Sequence, residues 1–331
     1  MDVERDSSRQ HLRACCILAA PLFALAVLMP APAENSGPLS LEMGPFVKIL
    51  DTSELPEGRH YVNDHSLLRL PDGHWLLSGI FHSEPSNGFD EREFIHAAAP
   101  ASEPSSWYAL PAPFFQASPQ RLALRAAEDE AWIWAPHLVQ DDDGSLVMIY
   151  HAGALDPGRA RFHLARSRDG GATWTREGGT LFEDFCVARD PMLLRLSAWW
   201  VVYYTRCDTK ASQHSGVAYR LSPDLRSFGE PSMALTLPVG RFDSGYTESP
   251  FVFHRRGWFY LTVTSYPVAW DATFVYRSRS PFHFPPEPVA RLTAHAAEWV
   301  ADGDDFEKGR LFVTHAGAGQ GGVWMREVFG L

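Results

Sequence analysis

RDPMLLRLSAWWVVYYTR, residues 189–206, has the pattern of a β-hairpin: a short apolar run, a turn, and a second run of aromatic and β-branched residues. Four other stretches repeat this pattern: NDHSLLRLPDGHWLLSGI (63–80), APHLVQDDDGSLVMIYHAG (135–153), ESPFVFHRRGWFYLTVTS (248–265) and the looser AEWVADGDDFEKGRLFVTHAG (297–317). A unit that recurs every few tens of residues is typical of a repeat fold such as a β-propeller, in which the first strand of every blade lies beside one axis.

A second, weaker hairpin pattern follows each of the first four copies. It consists of an apolar strand, a turn of Ser, Asp, Pro or Gly, and an aromatic residue opening the next strand, at 93–110, 162–178, 216–231 and 273–286. Two hairpins in a repeat make a four-stranded blade. The sequence therefore predicts an all-β protein, a five-bladed β-propeller of four-stranded antiparallel blades.

The fifth repeat supplies only three strands, the last predicted over Val323–Phe329. The segment Pro45–Leu50 can provide the fourth, and such a strand closes the ring and removes a free sheet edge. We therefore predict one propeller domain over residues 45–331. One short helix is predicted as an insert, over Gln120–Glu130.

Residues 167–174, SRDGGATW, match the Asp box, S-x-D-x-G-x-T-W, of sialidases and other propellers. This motif forms a structural turn on the outer part of a blade. It supports the propeller prediction and has little weight as a functional signal.

The first 33 residues are predicted to be a signal peptide. An apolar run from Ala14 to Met29 follows three arginines and precedes an A-x-A cleavage site at residues 31–33. An uncleaved membrane anchor is the alternative, since the stretch from Ala14 to Ala33 can just span a bilayer. The prolines in this segment and the cleavage site favour removal of the first 33 residues as a signal peptide. Residues 34–44 are predicted to be a linker, and the mature protein a secreted or periplasmic monomer without a membrane segment.

The chain of 331 residues carries a net charge of −11 and contains no run of basic residues, which argues against nucleic acid as a partner. Two cysteines, Cys186 and Cys207, remain after removal of the leader, and they flank the third hairpin. An oxidising compartment permits a disulfide between them, worth about 3 kcal/mol for a short loop. Two independent buried thiols are the equal alternative.

Asp64, Asp190 and Glu248 each begin an apolar inner strand, where a surface charge is not expected. Glycosidic hydrolysis needs a protonated carboxyl that donates to the leaving oxygen and an ionised one that activates water or attacks carbon. A third carboxylate nearby raises the pKa of the acid. Each residue alone has a simpler explanation: the aspartates as turn residues, and Glu248 as a surface partner of Arg241. Three carboxylates in register favour a shared site.

These residues resemble the five-bladed propeller glycosidases of glycoside hydrolase family 43 and its relative family 32. Members carry an Asp on blade one, an Asp-Pro on blade three and a Glu followed closely by Pro on blade four, which here are Asp64, Asp190-Pro191 and Glu248-Ser249-Pro250. The segment Trp134-Ala135-Pro136-His137 is similar to the W-A-P motif of blade two, and Arg189-Asp190-Pro191 to the RDP of family 32. The resemblance spans residues 45–331.

The resemblance implies that Asp64 is the base, or the nucleophile in a retaining enzyme. It implies that Asp190 orients the substrate and tunes pKa values, and that Glu248 is the general acid. His65 departs from the pattern, because Pro is usual after the first Asp. Retaining and inverting action both stay open, and they differ in carboxyl separation, ~5–5.5 Å against ~6.5–9.5 Å. No cofactor is expected to be required, although relatives hold a calcium ion on the propeller axis, which His295 is a candidate to bind.

Other residues at matching places in the repeats are candidates for sugar binding. His137 is placed to bond hydroxyls, and the two tryptophans before it to stack on a ring. Two arginines bracket the blade-three hairpin and are placed to hold Asp190 ionised. The substrate-binding candidates are Trp132, Trp134, His137, Arg189, Arg206, His295 and Glu298. His82, His151 and His315 recur at the ends of second strands and are predicted to line or underlie the channel.

The predicted partner is an oligo- or polysaccharide containing arabinose, xylose or fructose. The enzyme alternative is a sialidase, which requires several Asp boxes and three arginines around a carboxylate. The other alternative is a propeller that binds carbohydrate without catalysis. Specificity is expected to lie in rim loops at 84–92, 156–161 and 266–272.

Overall fold

The hairpin repeats fold into five antiparallel sheets in a computed structural model, which describes residues 37–53, 55, 60–109, 113–154, 160–185, 188–207, 215–237, 246–266 and 269–331. Each sheet is one blade of a β-propeller. The fold predicted from the sequence is therefore confirmed. The predicted signal peptide lies outside the described residues. Within the part that is described, no helix is long and apolar enough to cross a membrane.

Within the first four blades the strands lie side by side in chain order. The described part of the chain begins with two short strands, β1 (Glu42–Met43) and β2 (Val47–Asp51). Blade one contains β3 (His60–Arg69), β4 (Trp75–Ser83), β5 (Glu93–Ala99) and β6 (Gln116–Arg125). Blade two contains β7 (Glu130–Gln140), β8 (Leu146–Ala154), β9 (Ala160–Ser167) and a divided outer strand, β10 (Thr175–Arg176) and β11 (Phe182–Asp184).

The other three blades follow the same plan. Blade three contains β12 (Arg189–Leu196), β13 (Trp199–Cys207), β14 (Ser215–Ser222) and β15 (Ser232–Thr236). Blade four contains β16 (Tyr246–Arg255), β17 (Trp258–Tyr266), β18 (Ala269–Ser278) and β19 (Ala290–Thr293). Blade five contains β20 (Trp299–Ala301), β21 (Leu311–His315) and β22 (Gly322–Phe329). Two short 3-10 helices lie at Pro104–Ala109 and Asp302–Asp304.

The N-terminal segment completes blade five, as the sequence predicted. Strand β2 pairs antiparallel with β22, with Val47 opposite Met325 and Asp51 opposite Gly322. Strand β1 pairs with the same neighbour and lies within the segment predicted as a linker. The last blade thus joins both ends of the propeller domain, which closes the ring.

The predicted helix at Gln120–Glu130 is wrong. The first half of this segment belongs to β6, where Leu124 pairs with Phe94 and Arg125 with Glu93, and a turn then leads into β7. Leu124 is buried in the sheet core. Pairing with a preformed β5 outweighs the local helix propensity of this alanine- and glutamate-rich stretch, since propensity is a weak prior.

The long apolar runs of the second strands have a packing cause. In β13, Val201 and Tyr203 pack in the core shared with blade four, whereas Val202 and Tyr204 pack in the core shared with blade two. Alternate residues of a strand point to opposite faces, and both faces of an inner blade strand are covered. The strand is therefore apolar without alternation.

The predicted Asp box forms the turn between β9 and β10. Oδ1 of Asp169 accepts the backbone N–H of Thr173 at 2.8 Å, and Oδ2 accepts the Thr173 hydroxyl at 2.6 Å. The corresponding turn of blade three uses Asp224, which accepts the N–H groups of Arg226 and Ser227. The motif is structural in both blades, because its polar atoms are used within the turn itself.

Replacing Leu50 by alanine tests the closure of the ring. Leu50 in β2 is fully buried in the apolar core that also contains Val323 and Met325 of β22. We expect the unfolding free energy to fall by about 2–5 kcal/mol, the usual cost of truncating a buried leucine. Denaturant unfolding measures this loss. The Glu42→Ala variant in exposed β1 should stay within about 0.5 kcal/mol of the wild type, and an equally stable Leu50→Ala protein would contradict closure by β2.

Candidate active site

A left-handed residue recurs in the inner strands of the first four blades and, in blade five, just before the inner strand β20. These residues are Asp64 (φ 29°), Ala135 (φ 49°), Asp190 (φ 56°), Ser249 (φ 47°) and Ala296 (φ 47°). In the first four blades the pairing register shifts at this point, which is a β-bulge. A bulge re-aims the side chains around it. Strained backbone of this kind is concentrated at functional sites, and here it gathers one residue from each blade.

A cavity lies where the left-handed residues of the five blades meet. It is lined by residues of all five blades: Asp64, His65, Ala135, Pro136, His137, Asp190, Pro191, Met192, Ser249, Pro250, Ala296 and Glu298. Its lining is mostly small or apolar apart from three carboxyl groups and two imidazoles. The inner strand starts therefore converge on the propeller axis, as the repeat pattern predicted.

The three predicted catalytic carboxyl groups are connected by two residues. The backbone N–H of Ser249 donates to Oδ2 of Asp190 at 3.0 Å, and its hydroxyl donates to Oδ1 of Asp64 at 2.7 Å. The guanidinium of Arg189 donates to Oε1 of Glu248 at 2.8 Å and lies 3.5 Å from Oδ2 of Asp190. Asp64, Asp190 and Glu248 thus share one hydrogen-bonded cluster. Arg241, the alternative partner of Glu248, lies outside the described residues.

The three carboxylates do not occupy one register position. Asp64 and Asp190 are themselves the left-handed residues, whereas Glu248 precedes the left-handed Ser249. Glu248 therefore corresponds to Arg189 in blade three and lies beside the cavity rather than in its lining. The prediction that the three carboxylates lie in register is therefore wrong for Glu248, which is displaced by one residue.

Burial and like charges dominate the electrostatics of this cluster. Burial, together with the charges of Asp190 and Glu248, raises the pKa of Asp64 well above its ordinary value. Burial also raises the pKa of Asp190 to about 6, although Arg189 acts in the opposite direction. Burial works against the charge on Arg189, but the neighbouring carboxylates outweigh it and raise the pKa of this group. Crowded carboxyl groups around one cation favour retention of a proton within the cluster at neutral pH.

Glu298 places a third carboxyl group in the cavity lining, beside those of Asp64 and Asp190. Burial raises the pKa of Glu298 well above its ordinary value, and the charge of Asp64 adds to the effect. His137 lies on the opposite blade, where its Nδ1 accepts the backbone N–H of Leu193 at 3.2 Å. Burial lowers the pKa of His137 to about 3, so its imidazole is neutral.

His65, which departs from the Pro of the resembled families, joins blades one and five. Its Nε2 lies 2.7 Å from Oγ1 of Thr314, and burial lowers the pKa of His65 to about 3. Gly79 lies opposite in β4, and a Cβ there would come within 2.7 Å of the His65 Cβ. The larger residue is therefore accommodated by a glycine in the partner strand.

His295 supports Asn63 next to the predicted base. Its Nε2 lies 3.0 Å from Oδ1 of Asn63, whose amide donates to Asp64 at 3.3 Å. The backbone N–H of His295 donates to Nδ1 of His315. Across the described ranges, no group of three or more His, Cys, Asp or Glu side chains is arranged to hold a metal ion. Calcium prefers six to eight oxygen ligands, and calcium on the axis stays a prediction.

Trp132 and Trp134 form an aromatic cluster at the rim with a residue that the sequence did not single out. Their ring centroids lie 5.3 Å apart, and the ring of Phe89 lies 5.1 Å from Trp132 and 5.8 Å from Trp134. Phe89 is 63% exposed, the largest exposure among the large apolar side chains described. It belongs to the predicted rim loop at 84–92, and Trp134 donates to the Gly88 carbonyl of that loop. In the sequence, only the position of Phe89 within that predicted rim loop could have marked it as a candidate for sugar binding.

Arg206 does not join the cluster around Asp190. Its Nε donates to Oδ1 of Asp184 at 3.0 Å, and Tyr204 and Arg220 bond the other oxygen of the same carboxylate. Asp184 is buried at the end of β11 in blade two. The expectation that Arg206 holds Asp190 ionised is therefore wrong, because a closer buried carboxylate binds it.

The remaining histidines differ in their surroundings. The ring of His151 is buried 5.6 Å from Trp134, below the rim cluster. His82 forms an ion pair with Asp90 in the rim loop at 3.4 Å. Cys186 and the side chain of Cys207 lie outside the described residues, so the predicted disulfide stays a prediction.

Glu91 is a buried carboxyl group that the sequence analysis missed. It is 5% exposed and accepts a hydrogen bond from the Tyr61 hydroxyl. Burial raises the pKa of Glu91 to about 7, although hydrogen bonds from Tyr61 and Trp134 favour the ionised form. Its charge also contributes to the raised pKa of Asp64.

Replacing Glu91 by glutamine is expected to change how stability depends on pH. The folded protein binds this proton more tightly than the unfolded chain, so the contribution is fully present below about pH 4.5 and is lost as pH rises toward 7. We expect the wild-type unfolding free energy to fall relative to Glu91→Gln by roughly 1.4 kcal/mol per pH unit in this window. Urea unfolding between pH 4 and 8 measures it. The exposed-turn variant Glu128→Gln should follow the wild-type curve, and parallel curves for Glu91→Gln would contradict the expectation.

Known structures share this architecture at low sequence identity. Zg3597, a family 117 glycoside hydrolase of the marine bacterium Zobellia galactanivorans, is 13% identical with a TM-score of 0.62, over 88% of this chain and 90% of that one. CoXyl43, a family 43 β-xylosidase/α-arabinofuranosidase from a compost metagenome in complex with xylotriose, is 16% identical with a TM-score of 0.59, over 88% and 94%.

The family 32 β-fructofuranosidase BmSUC1 of Bombyx mori is 16% identical with a TM-score of 0.58, over 81% of this chain and 61% of that one. No family model matches the sequence, and no curated protein matches it. These likenesses confirm the predicted resemblance to five-bladed propeller glycosidases at the level of the fold.

Proposed function

We propose that this protein is a glycoside hydrolase whose chemistry is carried by Asp64, Asp190 and Glu248. The supporting observation is the convergence of these carboxyl groups from three blades, joined by Ser249 and Arg189. A packed scaffold has no need for two buried aspartates, Asp64 and Asp190, whose pKa values are raised by burial and by neighbouring carboxylates. Perturbed groups of this kind cluster at catalytic sites.

In the proposed reaction Glu248 donates a proton to the glycosidic oxygen as the bond from that oxygen to the anomeric carbon breaks. Arg189 already donates to Glu248 and stabilises the carboxylate that the transfer leaves. Asp64 removes a proton from the attacking water, or attacks the anomeric carbon itself. Asp190 contacts neither Asp64 nor Glu248 by hydrogen bond in the described cluster, and its place in the cavity suits it to hold sugar hydroxyls.

We propose a neutral sugar as the substrate, of the arabinose, xylose or fructose type. Four of the five blades contribute an acidic or imidazole side chain to the cavity lining. None of the described lining residues is an arginine. Arg189 and Arg206 are both engaged by carboxylates of the protein. A sialidase needs free arginines around the substrate carboxylate, so this site disfavours an anionic sugar. The similar structures include a β-xylosidase/α-arabinofuranosidase and a β-fructofuranosidase.

Residues 1–33 support export to the periplasm or the medium, because of the apolar run and cleavage site in the sequence. N-terminal sequencing of the protein purified from a culture medium or periplasm tests this proposal. A first residue at or near Glu34 is the expected result, and a retained Met1 in the membrane fraction would contradict it.

The activity is tested with a panel of neutral oligosaccharides and aryl glycosides of arabinose, xylose and fructose. We expect the wild type to release reducing sugar from at least one member, and the Asp64→Asn and Glu248→Gln variants to lose that release while still binding the sugar. Binding without release by the wild type would support the non-catalytic alternative. Release that survives in both variants would contradict the assignment.

A further inference from the structure

Ser249 is the one described residue that contacts carboxyl groups of two other blades in the catalytic cluster. Its hydroxyl donates to Asp64 at 2.7 Å and its backbone N–H to Asp190 at 3.0 Å. The residue before it is Glu248, the proposed acid. No role in the proposed reaction has been given to this serine, and the resemblance implies none.

The backbone at Ser249 does not explain the choice of serine. Its φ of 47° is left-handed, a conformation in which glycine is favoured and other residues are strained. Ala135 and Ala296 occupy the same place in blades two and five with the same backbone. A residue without a hydroxyl therefore suffices for the bulge, and what the serine adds is its hydrogen bond to Asp64.

We propose that Ser249 is a positioning residue that orients the carboxylate of Asp64 and stabilises its ionised form for attack or proton abstraction. The importance of Ser249 for catalysis rests on the proposed function, whereas its effect on the orientation and ionisation of Asp64 does not.

The surroundings of Asp64 make this single donor important. Most charged groups near Asp64 are negative and oppose its ionisation, and the hydroxyl of Ser249 acts in the opposite direction. The titratable and charged groups around it are His65, Glu91, His137, Arg189, Asp190, Glu248, His295 and Glu298. Arg189 is the cation among them, and it is bonded to Glu248. Asn63 adds a weaker amide contact at 3.3 Å. Loss of the hydroxyl is therefore expected to favour protonated Asp64.

Two substitutions separate the hydroxyl from the backbone. Ser249→Gly removes the hydroxyl and relieves the left-handed strain, whereas Ser249→Ala removes the hydroxyl and keeps the strain. We expect both to lower kcat/KM by about ten- to one-hundredfold with little change in KM, as for loss of a hydrogen bond to a charged group. The acid limb of the pH profile should move to higher pH. The thermal midpoint of Ser249→Gly should equal or exceed that of the wild type.

Ser197→Gly is the matched control, since Ser197 has a left-handed φ of 53° in the exposed turn between β12 and β13 and lies outside the cavity lining. It should gain stability and keep the wild-type pH profile. A merely structural role for Ser249 predicts the reverse pattern, with activity following stability in all three variants.

A readout without turnover keeps this proposal separate from the proposed function. Carbon-13 NMR of aspartate labelled at the carboxyl, with Asp64 assigned through Asp64→Asn, follows the titration of this group directly. We expect its midpoint to rise by about one pH unit in both Ser249 variants and to stay unchanged in Ser197→Gly. An unchanged Asp64 titration in Ser249→Gly and Ser249→Ala would overturn the proposal, whether or not the wild type hydrolyses any glycoside.

Discussion

Replacing Glu248 by glutamine is expected to lower kcat on an unactivated glycoside by about 10²–10⁴-fold, the usual contribution of a positioned proton donor. Glutamine keeps the size of the side chain and can still accept the hydrogen bond from Arg189, but it cannot transfer a proton to the glycosidic oxygen. Steady-state kinetics on a natural disaccharide measure the loss. KM should change little, because the variant removes an interaction made in the transition state.

The dependence of the rate on the pKa of the leaving group distinguishes a general acid from a residue with any other role. An aryl glycoside whose phenol has a low pKa departs without protonation, so Glu248→Gln should recover most of the wild-type rate on that substrate. The exposed variant Glu230→Gln is a matched control and should be fully active on both substrates. An equal loss on activated and unactivated substrates would show that Glu248 is not the proton donor.

Replacing Asp64 by asparagine is expected to remove at least as much activity, and to do so for every leaving group. The amide cannot accept the proton of water or attack the anomeric carbon, and both steps are needed whatever group departs. We expect a fall in kcat of about 10³-fold or more on both the disaccharide and the activated aryl glycoside. The same kinetic series measures it.

Asp64→Asn should remain folded, since it replaces a buried carboxyl group surrounded by like charges with a neutral isostere. Thermal unfolding at pH 7 checks this point, and Asp129→Asn in an exposed turn supplies the matched control. Added azide can replace the missing nucleophile or base, so partial recovery by azide would support the assigned role. Wild-type turnover by Asp64→Asn would place the chemistry elsewhere.

The architecture was predictable because its signal is local. Each hairpin, such as residues 189–206, carries its own apolar runs and turn, and alternate residues of β13 pack on different neighbours. Strand patterns of this kind depend on a few consecutive residues. The helix prediction at Gln120–Glu130 was wrong because it also relied on a local pattern. Only pairing with β5 makes the first half of this segment a strand.

The carboxylates of the candidate site were predictable from the sequence, whereas the contacts between side chains were less so. Asp64, Asp190 and Glu248 stand out because carboxylates at the start of apolar strands are unusual, and the structure brings them together. Arg206 failed as a partner of Asp190 because Asp184, near in space, binds it. Glu91 and Phe89 gave no sequence signal, since their roles depend on burial and exposure that neighbouring chain segments create.

The sequence by itself determined the blades, their order, the closure by the N-terminal strand and the identity of the carboxylates, because repeats and strand patterns are properties of neighbouring residues. Only the tertiary structure decided which groups share protons and hydrogen bonds. Ser249 and Asp64 are 185 positions apart in the chain, and their contact exists because two β-bulges face each other across the propeller axis. No local pattern encodes the 2.7 Å between two such side chains, since that distance is set by the packing of every blade in the ring.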